Sequence, residues 1–160
     1  LSGYPNGRIV LLKYYSHDGF VFFTNYNSNK AASIDQNNKV SISFFWEESE
    51  RQVIIKGVAT RTSDDFSTKY FNSRPKGSKL GALVSENQSS IIKSKDYIVK
   101  KFNELSKEYS NKEISRPNNW GGYIIKPIQY EFWQGGENRL HDRIRYTLNK
   151  KIWQIDRLSP

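Results

Sequence analysis

From Trp120 onward the chain reads as four short extended runs, residues 120–125, 129–134, 141–148 and 153–158, cut by Pro127, by Gly135-Gly136 and by Asn149-Lys150-Lys151. Aromatic and β-branched residues bounded by such turn formers mark strands. Links this short suit antiparallel neighbours, because a parallel pair needs a crossover of about a dozen residues or more. The same grammar recurs nearer the N-terminus. Residues 8–14 (RIVLLKY) and 20–24 flank the turn Ser16-His17-Asp18-Gly19 and predict a hairpin. In residues 40–46, Val40, Ile42 and Phe44 alternate with Ser41 and Ser43; the polar corner Glu47-Glu48-Ser49-Glu50 then leads into a second extended run, 51–61.

Helical signals fall between these pairs. Asn27 and Ser28 offer cap oxygens to a short helix over 30–37. Ser63 caps residues 64–73, where Asp64 and Asp65 complement the helix dipole and Pro75 marks the end. Ser78 starts a further helix. Ser94 caps another, in which Ile98, Phe102, Leu105 and Tyr109 recur at helical spacing, an apolar stripe suited to covering one face of a sheet. Antiparallel strand pairs, a few helices and no βαβ alternation predict a mainly β fold, a closed or split β-barrel with peripheral α-helices.

The length of 160 residues suits one domain with one core. With only 36 % hydrophobic residues but nine Phe, ten Tyr and four Trp, that core must lean on aromatic rings. Cysteine is absent, which excludes disulfides and thiol chemistry; His17 and His141 are the only histidines, so no zinc cluster and no other metal is expected. No apolar run approaches the roughly 20 residues that cross a bilayer, and a cytoplasmic location without membrane association is expected. The chain has no Met and opens on Leu1, from which a missing N-terminal segment is expected. Its formal charge of +9 draws anionic partners: phosphorylated metabolites, nucleic acid or an anionic surface.

Three groups of residues could use that charge. In RLHDR, extended backbone would set Arg139, His141 and Arg143 along about 14 Å of one face. Such groups suit a multiply charged anion, held by arginine forks; the alternative is a solvated basic strand paired with Glu131 or Glu137. Tyr70 and Arg74 are neighbours on one helical face, followed by a loop and by Ser78 at a helix start, a phosphate seat unless Tyr70 is a core edge, Ser78 only a cap and Arg74 only a surface charge. Lys13 shares a strand face with Ile9 and Leu11, where its ammonium either meets an anion or snorkels to water. Walker-type loops, dinucleotide fingerprints, nucleophile elbows and paired-carboxylate sites are missing, which favours an organic cofactor over side-chain chemistry.

Taken together, RIVLLK, ERQV, KYFNSRP, WGGY, EFWQGGENRLHDR and the terminal DRLSP resemble, in order and over nearly the whole chain, the pyridoxine (pyridoxamine) 5'-phosphate oxidases. The resemblance implies an FMN-binding split β-barrel, a homodimer with FMN at the subunit interface, and sites built from both chains. It also implies a reaction: pyridoxine or pyridoxamine 5'-phosphate gives hydride from its 4' carbon to the flavin and becomes pyridoxal 5'-phosphate, and O2 reoxidises the flavin to yield hydrogen peroxide. By the same resemblance FMN is held by Arg8, Ile9, Val10, Leu11, Leu12 and Lys13, by Phe23 and Thr24, by Lys30, Gln52, Gln88 and Ser89, and by Trp133 and Arg143. The substrate phosphate falls to Lys13, Tyr70, Arg74 and Ser78, and the reacting ring to Arg139 and His141, which are the expected catalytic pair.

This chain departs from the family pattern at Asn29, where arginine is usual, at Phe23, where tyrosine is common, and by one residue added between Ser85 and Gln88. Two other readings compete. A basic, aromatic β-barrel can bind nucleic acid by stacking bases and tracking phosphates, and a flavin-binding relative could act on a different substrate. Retention of Lys13, Tyr70, Arg74, Ser78, Arg139 and His141 favours the oxidase, with no nucleic acid or membrane partner.

Overall fold

The computed structural model describes residues 3–160 and is mostly β. The first hairpin pairs β1 (Tyr14–Ser16) with β2 (Gly19–Asn25), Ser16 opposite Gly19. Gly19 has φ +141° and lies against the Ile125 carbonyl, so no side chain fits at this turn. The hairpin is shorter than the expected one. Residues 8–12 join no ladder, and only the Lys13 N–H, bonded to Val21 O at 2.9 Å, extends the pairing. Alternation nevertheless persists along this arm: Val10 packs on the core, while Ile9 and Leu11 are exposed.

Helix α1 (Asn29–Gln36) comes next, capped by the buried Ser28, whose Oγ accepts the Ala31 N–H. Strand β3 (Lys39–Trp46) pairs antiparallel over its whole length with β4 (Arg51–Arg61). Ser63 caps α2 (Asp64–Ser73), and α3 (Lys76–Val84) begins almost at once. The sequence reading put Ser78 at the start of α3, but it is the third helical residue, because Pro75 pre-sets the entry. Helix α4 (Lys95–Glu108) is capped by Ser94 as expected, but its apolar face lies mainly on α3 and meets the sheet at Trp120 rather than lying across it. Phe102, Leu105 and Tyr109 pack around Phe71, Leu80, Ile114 and Trp120. The broader contact with the sheet is made by α2.

The expected strands 120–125 and 129–134 are one strand, β5 (Trp120–Gln134). Its first half pairs with β2 and its second half with β6 (Asp142–Asn149), while β4 runs along its other edge from Tyr123 to Gln134. Partners change at residues 126–128. There Pro127 has no N–H to donate, and the register against β4 shifts between Lys56 and Gly57, so that Ile128 is an extra residue in a β-bulge. The proline that reads as a strand end is thus a point of exchange. Strand β7 (Ile152–Arg157) completes a seven-stranded sheet whose main path runs β1-β2-β5-β4-β3, with β6 and β7 branching from β5. Phe22, Ala31, Ala59, Tyr123 and Ile125 form a core between this sheet and α1.

Candidate active site

Cations without anions mark the end of β2. The Lys30 ammonium donates to Thr24 Oγ1 at 2.8 Å and to Gln88 Oε1 at 3.3 Å, and the Thr24 hydroxyl donates to the same Gln88 oxygen at 3.4 Å. Ser89 Oγ accepts the Asn29 N–H at 3.3 Å. Burial first, and the charge of nearby Arg8 second, hold Lys30 below its ordinary pKa. Thr24, Lys30, Gln88 and Ser89, drawn from three separate stretches, therefore meet as one group with Arg8 close by. Asn29 faces this group through its backbone. The added residue after Ser85 does not carry Gln88 and Ser89 away from it.

On the opposite face of β2 lies a second group. Phe23 stacks on Tyr70 with ring centroids 4.0 Å apart and on Trp120 at 5.4 Å. Arg74, at the end of α2, lies 4.6 Å over the Trp120 ring, and its Nη1 is buried without a hydrogen-bond partner. Burial lowers its pKa, against a smaller upward push from Tyr70. A cation desolvated against an indole with a free N–H is set to receive an anion. Lys13 is exposed and precedes Tyr14, whose ring meets Tyr70 at 5.8 Å. Ser78 is exposed within the first turn of α3. Among the described residues, none of Arg8, Lys13, Lys30, Arg74 and Arg139 pairs with a carboxylate. Trp120 escaped the sequence reading, since nothing in its spacing ties it to Arg74.

A third group sits at the far end of β5. Gln52, Trp133 and Arg143 are direct neighbours across β4, β5 and β6. The His141 ring lies 4.9 Å from that of Trp133, and its Nδ1 accepts the Gly136 N–H at 3.2 Å. That bond leaves the proton of a neutral imidazole on Nε2, facing away from the turn. The expected single face of Arg139, His141 and Arg143 is not formed. Residues 137–139 make a 3-10 turn, Asn138 and Arg139 have φ +55° and +62°, and β6 begins only at Asp142. Arg139 thus projects, exposed, from a tight loop. Arg143 is bound as the alternative reading had it, by Glu131 at 2.7 Å, and also donates to Ser159 O at 2.9 Å.

The first two groups and the third do not meet within one chain. Gly122, opposite Phe23, and Trp133 lie eleven residues apart on β5, which is roughly 36 Å of extended strand. A cleft of about 990 Å³ adjoins the first group, lined by the 3–12 arm, Phe20, Phe22 and Lys30, and by Val40, Ile42 and Phe44 of β3. No helix among the described residues is long and apolar enough to cross a membrane.

Residues 1–108 match the family model described as pyridoxamine 5'-phosphate oxidase, and residues 120–160 the one described as the pyridoxine 5'-phosphate oxidase C-terminal dimerisation region. The pyridoxine/pyridoxamine 5'-phosphate oxidase of Flavobacterium johnsoniae is 55 % identical over 160 residues, covering 99 % of this chain and 74 % of the relative. Pyridoxine/pyridoxamine 5'-phosphate oxidase 2 of Hydrogenovibrio crunogenus is 53 % identical over 156 residues, 98 % of this chain and 73 % of the relative. In fold, the chain is similar to PhzG from Burkholderia lata in complex with tetrahydrophenazine-1-carboxylic acid, with a TM-score of 0.87 at 23 % identity over 96 % of this chain and 74 % of that one. It is also similar to a pyridoxamine 5'-phosphate oxidase-related, FMN binding protein of Nostoc punctiforme, with a TM-score of 0.73 at 17 % identity over 96 % and 80 %. The architecture is that of a split β-barrel with outer helices, and the chain belongs to the pyridoxine/pyridoxamine 5'-phosphate oxidase family.

Proposed function

We propose that the chain is a single oxidase domain that converts pyridoxine 5'-phosphate or pyridoxamine 5'-phosphate to pyridoxal 5'-phosphate with FMN and O2, working as a homodimer whose sites combine both chains. The observation that carries this reading is the presence of two desolvated, anion-free cations on the two faces of one strand end, Lys30 with Arg8 and Arg74 on Trp120. Such groups fit two phosphates, one on a flavin and one on a vitamin B6 ester.

Lys30, Arg8, Thr24, Gln88 and Ser89 would hold the flavin phosphate, and the rest of the 8–13 segment the flavin body. Gln52, Trp133 and Arg143 of the other chain would close the seat. Tyr70, Arg74, Ser78 and Lys13 would take the substrate phosphate, while Arg139 and His141 from the other chain orient the pyridine ring. When bound, the flavin supplies the redox chemistry, accepting hydride from the 4' carbon of the substrate and returning the electrons to O2 as hydrogen peroxide. The protein contributes position and charge. Phosphate anchoring fixes the substrate's approach, Arg139 stands clear of the fold to reach it, and His141 offers its Nε2 proton as a hydrogen-bond donor. A second chain is needed because the far end of β5 cannot reach the same centre. The exposed apolar side chains Leu140, Ile152 and Ile155, all within the segment matched to the dimerisation region, are suited to meeting that chain.

Anaerobic titration tests the proposal. Pyridoxine 5'-phosphate should bleach the visible flavin absorption of the purified protein, and unphosphorylated pyridoxine at equal concentration should not. Colourless protein that binds oligonucleotides with steep salt dependence would replace this reading with the nucleic-acid one.

A further inference from the structure

Three asparagine amides converge on one carbonyl at the end of α3. Glu86 O accepts from Nδ2 of Asn25 at 3.0 Å, of Asn27 at 3.2 Å and of Asn119 at 2.9 Å. Asn25 gives its other amide hydrogen to Ser85 O at 2.6 Å, and its Oδ1 accepts the Asn27 N–H at 2.7 Å. The residue is only 3 % exposed, and both polar atoms of its side chain are partnered. These bonds come in addition to the helix's own closing bonds. The Ser85 N–H already bonds Gly81 O, and the Glu86 N–H bonds Leu83 O.

The residues just beyond Glu86 give the convergence a purpose. They form no strand or helix, yet they carry Gln88, whose Oε1 accepts from Lys30 and Thr24, and Ser89, whose Oγ meets the N-terminus of α1. Ser89 has φ +77°, a left-handed backbone that a non-glycine residue holds only under constraint from its surroundings. A segment lacking regular structure needs such anchors to present side chains in one place.

We propose that Asn25, assisted by Asn27 and Asn119, is a positioning residue for the flavin-phosphate seat: it pins residues 85–86 to the end of β2, so that Gln88 holds the Lys30 ammonium where the phosphate arrives. This inference rests on the phosphate seat proposed above. Asn25 acts through Gln88 and Lys30, and its effect belongs to the phosphate rather than to the flavin ring.

Comparing FMN with riboflavin, which lacks the phosphate, isolates that effect. Binding of each to the flavin-depleted protein is monitored by quenching of flavin fluorescence. Asn25→Asp keeps the size and the acceptor oxygen but sets a carboxylate against two carbonyls; it should weaken FMN on the order of tenfold and riboflavin less than about twofold. Adding Gln88→Ala to Asn25→Asp should cost little more, because the two changes remove one coupled contact. The double variant Asn27→Ala/Asn119→Ala, altered nearer the surface, should lose about threefold in FMN affinity with riboflavin unchanged. Equal weakening of both flavins, or unaltered FMN binding in folded Asn25→Asp, overturns the inference. If Asn25→Asp does not fold, an unaltered FMN-to-riboflavin ratio in the double variant overturns it. Wild-type protein that binds riboflavin as tightly as FMN would sink the phosphate seat itself, a separate failure.

Discussion

Lys30 is charged where the fold by itself supplies only neutral oxygens. Its folded pKa is lowered, so between that value and the unfolded one it is the unfolded chain that holds the extra proton. Stability from this group therefore rises with pH across that window, and below the window the penalty stands in full. Flavin-free Lys30→Met should melt above wild type near neutral pH by on the order of 2 °C, because solvent screening leaves only part of the penalty at a half-buried site. Melting curves taken toward about pH 10 should show that gap closing; a gap that stays constant would contradict the assignment. The same substitution should remove most of the stabilisation that FMN confers on wild type. At this scale the sequence was informative about residue type: Lys13, Arg74 and Arg139 stood out as cations wanting anions, and Lys30 entered through the family resemblance. It could not show that Arg74 rests on Trp120, a contact between distant stretches, and it left pairing with Glu131, which the structure shows for Arg143, as one of two alternatives.

Among elements, β5 places the most demands on its neighbours. At its bulge, a Cβ on Gly57 would lie 2.5 Å from the Lys126 carbonyl oxygen and 2.7 Å from Ile125 Cγ2, the first of these rigid backbone. Gly57→Ala should therefore cost roughly 2–3 kcal/mol, read as a lower urea midpoint at unchanged m-value. Gly81→Ala, on a helix where the added Cβ meets nothing within 4 Å, should stabilise by about 0.5–1 kcal/mol. Helix boundaries such as Ser63 before Asp64–Ser73, and Ser94 before Lys95–Glu108, were readable because a cap is a local contract between a side chain and the next turn. The run of β5 through Pro127 was not. Whether a proline ends a strand or marks a bulge depends on the strands alongside, which the local pattern does not contain. The loop at Arg139 escaped for a similar reason, since two successive left-handed residues stand where the pattern reads as extended.

For the molecule as a whole, the separation of Tyr70 and Arg74 from His141 and Arg139 along β5 makes a genetic prediction. Arg74→Ala and Arg139→Ala homodimers should each be nearly inactive, but chains unfolded and refolded as a mixture should regain about a quarter of wild-type activity, from the one intact centre in each mixed pair. Recovery no greater than the sum of the separate variants would mean that each chain builds its own centre. The arrangement also bears on how such an enzyme comes into being. If each centre combines two chains, as proposed, a chain fresh from synthesis owns parts of two centres and the whole of neither. Acquisition of the pigment must then wait on encounter between chains, so the yield of working enzyme scales with the square of chain concentration when chains are scarce, and flavin supply limits it only once pairing is complete.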